Sequence, residues 1–289
     1  MKMSYTDFVN VLTTVVKDYL PDSCSGTKIR VTKINKSDRT YDGMTMDPGT
    51  GQPVAVANLN MLYDMYRDDG DIVAAAKKAA EIMTLPAKID VGMITDYNEV
   101  KSKLGLRLME INGHEDFLKD KLYREVAGLA VLPVIFVGTS HGDGTITFQK
   151  DMLSSYRITA DEVFRDAEKS PKMTPSIRTL RDTLAETGLV LPDDQPEAFM
   201  YVVTTQHKMM GASAIVLPEV QKELIEKLGE TVYILPSSIH EVLAKKASEE
   251  DDVDALKAMV YEINRAEVAP EDRLSDNVFV LTREGLDLA

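Results

Sequence analysis

Two short segments of the chain contain serine, histidine and acidic side chains, the residue types that hydrolases use as nucleophile, base and orienting acid. Residues 138–142 read Gly-Thr-Ser-His-Gly, which satisfies the Gly-x-Ser-x-Gly pattern of a nucleophile elbow with Ser140 at its centre. His207 and His240 lie downstream, so the order serine, acid, histidine is available. An elbow also needs a helix directly after the serine, whereas Asp143-Gly144 and a β-type run follow here. This pattern indicates the tip of a hairpin.

The second segment follows a predicted strand at Thr231–Leu235. Ser237 and Ser238 could supply a nucleophile, His240 a base and Glu241 the carboxylate that orients it. The same residues fit a capping box, because Glu241 comes three positions after Ser238. In that case a helix begins after the strand and His240 lies on its face. We favour this structural interpretation, because adjacent residues on a helix point in different directions. No catalytic residue is assigned, and Ser140, Ser238, His240 and Glu241 remain the candidates.

The known signatures of metal and cofactor sites are absent from the sequence. The four histidines show no His-x-x-x-His spacing, and Ala244 prevents His240-Glu241 from beginning a His-Glu-x-x-His motif. Neither possible alignment to a calcium-binding loop places acids at the required positions. The chain has no Gly-x-x-x-x-Gly-Lys-Ser/Thr loop and no Gly-x-Gly-x-x-Gly. We therefore expect no cofactor and no metal.

Composition limits the class of partner. The chain has 289 residues and a formal net charge of −14, which disfavours binding to nucleic acid and to anionic lipid. An acidic decoy of nucleic acid is a further hypothesis. Cys24 is the only cysteine, so no intrachain disulfide can form. The N-terminus has no signal-type apolar core, and the longest apolar run, Leu129 to Val137, is too short to span a bilayer. We expect a soluble cytoplasmic protein without membrane association.

The order of predicted elements favours an α+β fold with mixed, largely antiparallel sheets built from hairpin-plus-helix units. Helices are predicted at 59–68, 72–84, 159–168, 218–228 and 252–267; strands are predicted at 28–34, 40–46, 129–138, 200–204, 212–217 and 231–235. Residues Asp96–Glu99 fit a capping box, and Val100, Leu104, Leu108 and Ile111 give the helix that it opens a buried stripe. Asp143-Gly144 is a strong hairpin-turn signal. We expect two lobes, 1–112 and 113–289.

Several stretches resemble one bacterial family in the same order. The segment Tyr233-Ile234-Leu235-Pro236-Ser237-Ser238-Ile239-His240-Glu241-Val242 is similar to the signature of the domain of unknown function numbered 5688. Residues 93–101, 161–171 and 268–278 resemble its central helix start, the segment before its proline loop and its C-terminal close. The Gly138–Gly144 loop is a departure, since it is not a fixed element of that family. The resemblance implies a cytoplasmic bacterial protein and carries over no catalytic residue.

These observations lead to a function hypothesis with one main alternative. The lack of a complete catalytic constellation and the abundance of hairpin edges favour a non-catalytic protein-binding or accessory protein. The alternative is a serine-dependent hydrolase that uses Ser140 or Ser238 with His240 or His207. The partner of such a binding protein would be another protein. The sequence does not indicate the oligomeric state.

Overall fold

A computed structural model of the chain describes residues 2–24, 26–35, 40–47, 55–84, 95–139, 142–186, 188 and 200–289. The chain forms two compact units, residues 1–91 and 92–289. The lobe limit expected after residue 112 therefore falls inside the second unit.

The first unit combines a small sheet with three helices. Its elements are α1 (Tyr5–Val15), β1 (Lys28–Asn35), β2 (Thr40–Asp47), β3 (Ala57–Asn58), α2 (Leu59–Asp69) and α3 (Ile72–Thr84). The three strands form an antiparallel sheet in the order β1-β2-β3. Phe8, Leu12 and Met44 are fully buried in its core, together with an alanine-rich face of α3. The small alanine side chains let neighbouring elements approach α3 closely.

Capping residues explain where α2 begins and ends and where α3 begins. The Asn58 side chain accepts hydrogen bonds from the Asn60 and Met61 amides at the start of α2. Gly70 ends α2 in the left-handed region at φ 76°, where glycine has no steric penalty. Asp71 then accepts from the first amides of α3. The Gly70-Asp71 junction predicted from sequence is confirmed.

The second unit holds most of the chain. Its helices are α4 (Tyr97–Lys101), α5 (Glu115–Leu118), α6 (Lys150–Tyr156), α7 (Ala160–Glu168), α8 (Leu180–Glu186), α9 (Pro218–Leu228) and α10 (Val253–Glu267). Its strands are β4 (Leu104–Glu110), β5 (Arg124–Val126), β6 (Leu129–Thr139), β7 (Gly142–Thr147), β8 (Pro175–Thr179), β9 (Met200–Thr205), β10 (Val232–Pro236), β11 (Val242–Lys246), β12 (Phe279–Thr282) and β13 (Gly285–Leu288). The expected α+β class with largely antiparallel sheets is confirmed.

Two antiparallel sheets organise this unit. One has six strands in the order β13-β12-β10-β11-β9-β8; the other has four, with β6 in contact with β4, β5 and β7. The main core contains residues of both sheets, of α7 and of α9, including Leu106, Phe164, Val203, Leu224 and Ile234. A smaller cluster of Leu235, Val260 and Val278 joins α10 to the six-stranded sheet. Because adjacent strand residues face opposite sides, Ile234 and Leu235 enter different clusters and both faces of this sheet are packed.

Three sequence-based predictions of local structure outside the β10–β11 hairpin are wrong. The helix opened by Asp96 ends at Lys101, and residues 104–110 form β4 instead. Residues 211–216 form a 3₁₀ helix where a strand was expected. The hairpin of β6 and β7 exists, but Asp143 and Gly144 lie within β7, paired with Gly138 and Val137. Residues 140 and 141 lie outside the described residues.

Among the helices that the structure describes, none is both long enough and apolar enough to cross a membrane.

Candidate functional site

The hairpin of β10 and β11 positions the serine, histidine and glutamate that the sequence singles out. Pro236 pairs with Val242, so residues 237–241 form the connecting loop. The Ser238 amide donates to the Glu241 carbonyl at 3.1 Å. The Ser238 hydroxyl accepts from the His240 amide at 3.0 Å. Ser238 therefore stabilises the turn with both its backbone and its side chain.

The helix that we expected after Ser238 does not form. Val242–Lys246 is a strand in which Val242, Leu243 and Ala244 pair with β9. The Ser-x-x-Glu pattern that resembles a capping box thus closes a hairpin, and Glu241 contributes its backbone carbonyl to the turn. The capping interpretation is wrong in its geometry, although Ser238 does satisfy a local backbone amide.

The His240 ring is held at both nitrogen atoms. Nδ1 accepts a hydrogen bond from the Met210 amide at 3.2 Å. Nε2 lies 3.4 Å from Oδ1 of Asp272, a distance longer than a usual N–H···O hydrogen bond. Because Nδ1 acts as an acceptor, the ring proton of the neutral form belongs on Nε2 and faces Asp272. A general base needs a free nitrogen within reach of its substrate, so this ring is not set up to activate a serine.

The loop that supplies the Met210 amide fits tightly against the hairpin. Met210 adopts a left-handed conformation at φ 58°, uncommon for a residue other than glycine. A Cβ atom built on the next residue, Gly211, would lie 2.6 Å from the His240 carbonyl oxygen and would also meet Thr204 Oγ1. The Thr204 hydroxyl donates to that same carbonyl at 2.7 Å. Only glycine at position 211 allows this approach.

A third segment fixes the loop from the other side. The Ile239 amide donates to the Asp272 carbonyl at 2.7 Å, and the Ala212 amide donates to the Ile239 carbonyl at 3.3 Å. Asp272 therefore holds the loop through its backbone as well as through its contact with the His240 ring. We define the His240 cluster as Thr204, Met210, Ser238, His240 and Asp272.

A cavity of about 140 Å³ lies beside the His240 cluster. It is lined by side chains of both charge signs, including Arg178, Glu186, Lys208, His240 and Glu241. Arg178 Nη1 and Glu186 Oε1 form an ion pair at 2.5 Å, which neutralises part of this charge. Sites for drug-sized ligands occupy about 300–1,000 Å³, so this cavity is too small for such a molecule.

The remaining sequence candidates are Ser140 and His207. Ser140 lies outside the described residues, and Gly142–Thr147 form a strand, so those residues do not supply the helix of a nucleophile elbow. His207 lies edge-on to the Phe136 ring with centroids 4.9 Å apart. In the described part of the chain, the Ser238 hydroxyl contacts the His240 amide, and no hydrogen bond joins it to the imidazole.

Metal ligands are not clustered in the part of the chain that the structure describes. Within that part, no three histidine, cysteine, aspartate or glutamate side chains come close enough to hold an ion. The His240–Asp272 pair has no third ligand there.

Sequence reasoning missed the residues that hold the loop. No sequence motif pointed to Thr204 or Met210. Thr204 contributes the hydroxyl of a strand residue, and Met210 contributes a backbone amide, which any residue but proline could supply. Asp272 lies in a run of mixed charge, Glu271-Asp272-Arg273, to which we assigned no functional role from sequence. The Asp272 side chain faces His240 from 32 positions along the chain.

Comparison with known proteins agrees with the sequence resemblance. The model of a family of unknown function, DUF5688, matches residues 5–283. The chain belongs to this family. Its matched region covers the His240 cluster and both units, and stops before β13. No curated protein and no solved structure matches the chain.

Proposed function

We propose that this family member is a non-catalytic binding protein whose partner is another polypeptide, and that it acts as an accessory protein in the bacterial cytoplasm. The carrying observation is an exposed apolar stripe on α10. Ala255, Met259 and Ile263 follow one another at intervals of four residues, and all three are exposed. Such spacing places them on one side of a helix, over a length of about 12 Å. We call these three residues the α10 stripe.

The stripe is exposed although α10 is firmly packed elsewhere. Val260 is buried in the small cluster with Leu235 and Val278, and Asn264 is buried with its amide donating to the Ser275 carbonyl. The helix therefore has a separate surface for a partner. Ile263 remains 47% exposed and Met259 39%. Large apolar side chains grouped in this way are typical of interaction surfaces.

Acidic residues on α10 and just before it indicate the chemistry of the partner. Glu249 and Glu250 precede the helix, and Asp254 and Glu262 lie on it. All four are exposed and form no ion pair with any other described residue. A segment that places apolar residues on the stripe and lysine or arginine residues beside it would complement both properties. We therefore propose that the partner contributes a basic amphipathic segment, which packs its apolar side chains on the α10 stripe.

Affinity capture with paired variants tests this proposal. Wild-type protein, Met259→Glu/Ile263→Glu and a matched control, Met61→Glu/Met65→Glu, are each used to capture proteins from extract. The control changes two exposed methionines at the same spacing on α2. We expect a protein retained by wild type and control to be lost at least about tenfold with the stripe variant.

Reconstitution then decides the outcome. The purified partner must bind the wild-type chain directly, and binding must weaken as salt rises. Equal capture by wild type and the stripe variant, or loss with the α2 control, would contradict the assignment of the surface.

The serine-hydrolase alternative has one favourable observation, the contact of His240 with a carboxylate beside a cavity. The hydrogen bond from Met210 to Nδ1 weighs against it. A fluorophosphonate probe separates the two functions. Covalent labelling of the wild-type chain that disappears in Ser140→Ala or Ser238→Ala would defeat the binding-protein proposal.

A further inference from the structure

A second, larger cavity in the residue 92–289 unit carries an excess of positive charge. It occupies about 610 Å³, within the range of small-molecule sites. Lys101 from α4 lines it together with Arg165, Asp166, Lys169 and Ser170 from the end of α7 and the residues that follow. We call this site the cationic pocket. Such a concentration of bases stands out in a chain whose net charge is −14.

The one carboxylate of the cationic pocket is already neutralised. Asp166 is only 9% exposed, and Lys101 Nζ lies 3.2 Å from its Oδ1. The Tyr97 hydroxyl donates to Oδ2 at 3.0 Å. Burial, and then this hydrogen bond, raise the pKa of Tyr97, so the tyrosine remains a donor. Asp166 is thus held by two groups and has little capacity to pair with the other bases.

Arg165 and Lys169 are exposed, and neither forms an ion pair within 4 Å of a carboxylate among the described residues. Arg165 does lie close enough to Glu162 to help lower the pKa of that carboxyl. Because Lys101 pairs with Asp166, Arg165 and Lys169 are the two lining cations without a direct ion pair. Ser170 adds a buried donor, since it is 6% exposed and its oxygen accepts from the Lys172 amide, while its hydroxyl proton has no acceptor in the described part of the chain.

Stabilisation of the α7 terminus does not account for this arrangement. Basic side chains near a helix C-terminus do interact favourably with its dipole. Two of the last four carbonyls of α7, those of Arg165 and Ala167, however, already accept from the Lys169 and Ser170 amides. Lys101 comes from a different helix, and its ion pair with Asp166 brings it to the same cavity as Arg165 and Lys169.

We propose that the cationic pocket binds a dianionic phosphate group, either free or carried by a small molecule as a monoester. The guanidinium of Arg165 suits a bidentate contact with two phosphate oxygens, and Lys101 and Lys169 act as point charges on either side. A monoester carries close to two negative charges at neutral pH, which matches the two lining cations that form no direct ion pair. This phosphate site is proposed in addition to the polypeptide-binding surface on α10, and the two proposals do not depend on each other.

Calorimetric titration of the full chain at constant ionic strength tests the site. The probes are inorganic phosphate and glycerol 3-phosphate, with glycerol as the uncharged comparison. We expect saturable binding of a phosphate probe that strengthens between pH 5.5 and pH 8, as the phosphate group becomes dianionic. Arg165→Gln/Lys169→Gln should weaken it by at least about tenfold, since two charge-assisted contacts are lost. The control Lys222→Gln/Arg283→Gln removes the same charge from exposed sites elsewhere and should change affinity less than about twofold.

The two probes distinguish the source of the anion. Tighter binding of glycerol 3-phosphate supports a small organic phosphate, and tighter binding of inorganic phosphate supports the free anion. The proposal would be overturned if neither inorganic phosphate nor glycerol 3-phosphate showed saturable binding. An equal loss of affinity in the control and the pocket variant would also overturn it, because the effect would then be one of net charge.

Discussion

The His240 cluster and the cationic pocket both bring polar side chains together in the second unit, but they differ in how those groups are satisfied. In the His240 cluster, three polar groups of His240 form hydrogen bonds within the fold. The ring Nδ1 accepts from the Met210 amide, the carbonyl accepts from the Thr204 hydroxyl, and the amide donates to the Ser238 hydroxyl. In the cationic pocket, Arg165 and Lys169 have no described carboxylate partner. The first arrangement resembles a structural element, and the second leaves capacity for a ligand.

This difference shows why residue type alone is a weak guide to function. Serine, histidine and glutamate are frequent in catalytic sites, yet they also close turns, because their side chains bond readily to nearby backbone groups. When a buried polar group forms hydrogen bonds within the fold, those bonds account for its presence there. Several like charges that line one cavity without ion pairs have no such role in the fold, and they are available to an anionic ligand.

The largest expected effect comes from the glycine that lets the His240 cluster form. Gly211→Ala would place a Cβ atom 2.6 Å from the His240 carbonyl oxygen and 2.8 Å from the Thr205 amide. Backbone atoms cannot move aside cheaply, so we expect a loss of about 3 kcal/mol in the free energy of unfolding. Urea unfolding measures this loss.

Gly138→Ala is the matched control for that experiment, because a Cβ atom there meets nothing within 4 Å. It should change the free energy of unfolding by less than about 0.5 kcal/mol. Similar losses in the two alanine variants would mean that the close approach at Gly211 does not constrain the cluster.

A smaller effect is expected from the His240 ring itself. His240→Ala leaves the Met210 amide without its acceptor and removes the contact with Asp272, which should cost about 1–2 kcal/mol of stability. His240→Asn places an amide oxygen near the Nδ1 position and should recover about half of that loss. Thermal and urea unfolding of the two variants test the assignment. Equal stability of the alanine and asparagine variants would show that the bond from Met210 contributes little.

Much of the fold could be predicted from sequence, because periodicity reports burial directly. The helices at α3, α7, α9 and α10 and the strands β1, β2, β6, β9 and β10 follow their apolar spacing. The failure at residues 104–110 has a simple cause. Val100, Leu104 and Leu108 are four residues apart, a spacing that suits a helix face and also one side of a strand. Leu106 is buried as well, and it completes the alternation of a strand.

The structure of residues 211–216 depends on a long-range contact. Their composition suits a strand, but Gly211 must approach Thr204 and the His240 carbonyl, and this packing bends the chain into a 3₁₀ turn. Tertiary contact overrides local propensity there.

Prediction of the candidate sites was less complete than prediction of the elements. The sequence directed attention to Ser238, His240 and Glu241, which do lie in one loop. It gave no indication of the cationic pocket, since Lys101 and Arg165 are 64 positions apart and neither belongs to a motif. Only the packing of α4 near the end of α7 brings these charges together.

The smallest effect on stability is expected when the two unpaired cations of the cationic pocket are replaced. Arg165→Gln/Lys169→Gln removes two charges that repel each other and the Lys101 ammonium, and it breaks no ion pair with a described residue. The attraction of Arg165 to Glu162 is lost as well, but both side chains are in contact with water, so this attraction is weak. We expect the free energy of unfolding to change by less than about 0.5 kcal/mol, in contrast with the loss in His240→Ala. The measurement is urea unfolding of both variants in buffer free of phosphate. A loss of about 2 kcal/mol or more in the double variant would show that Arg165 and Lys169 support the fold, and the pocket would then be structural in the same sense as the His240 cluster.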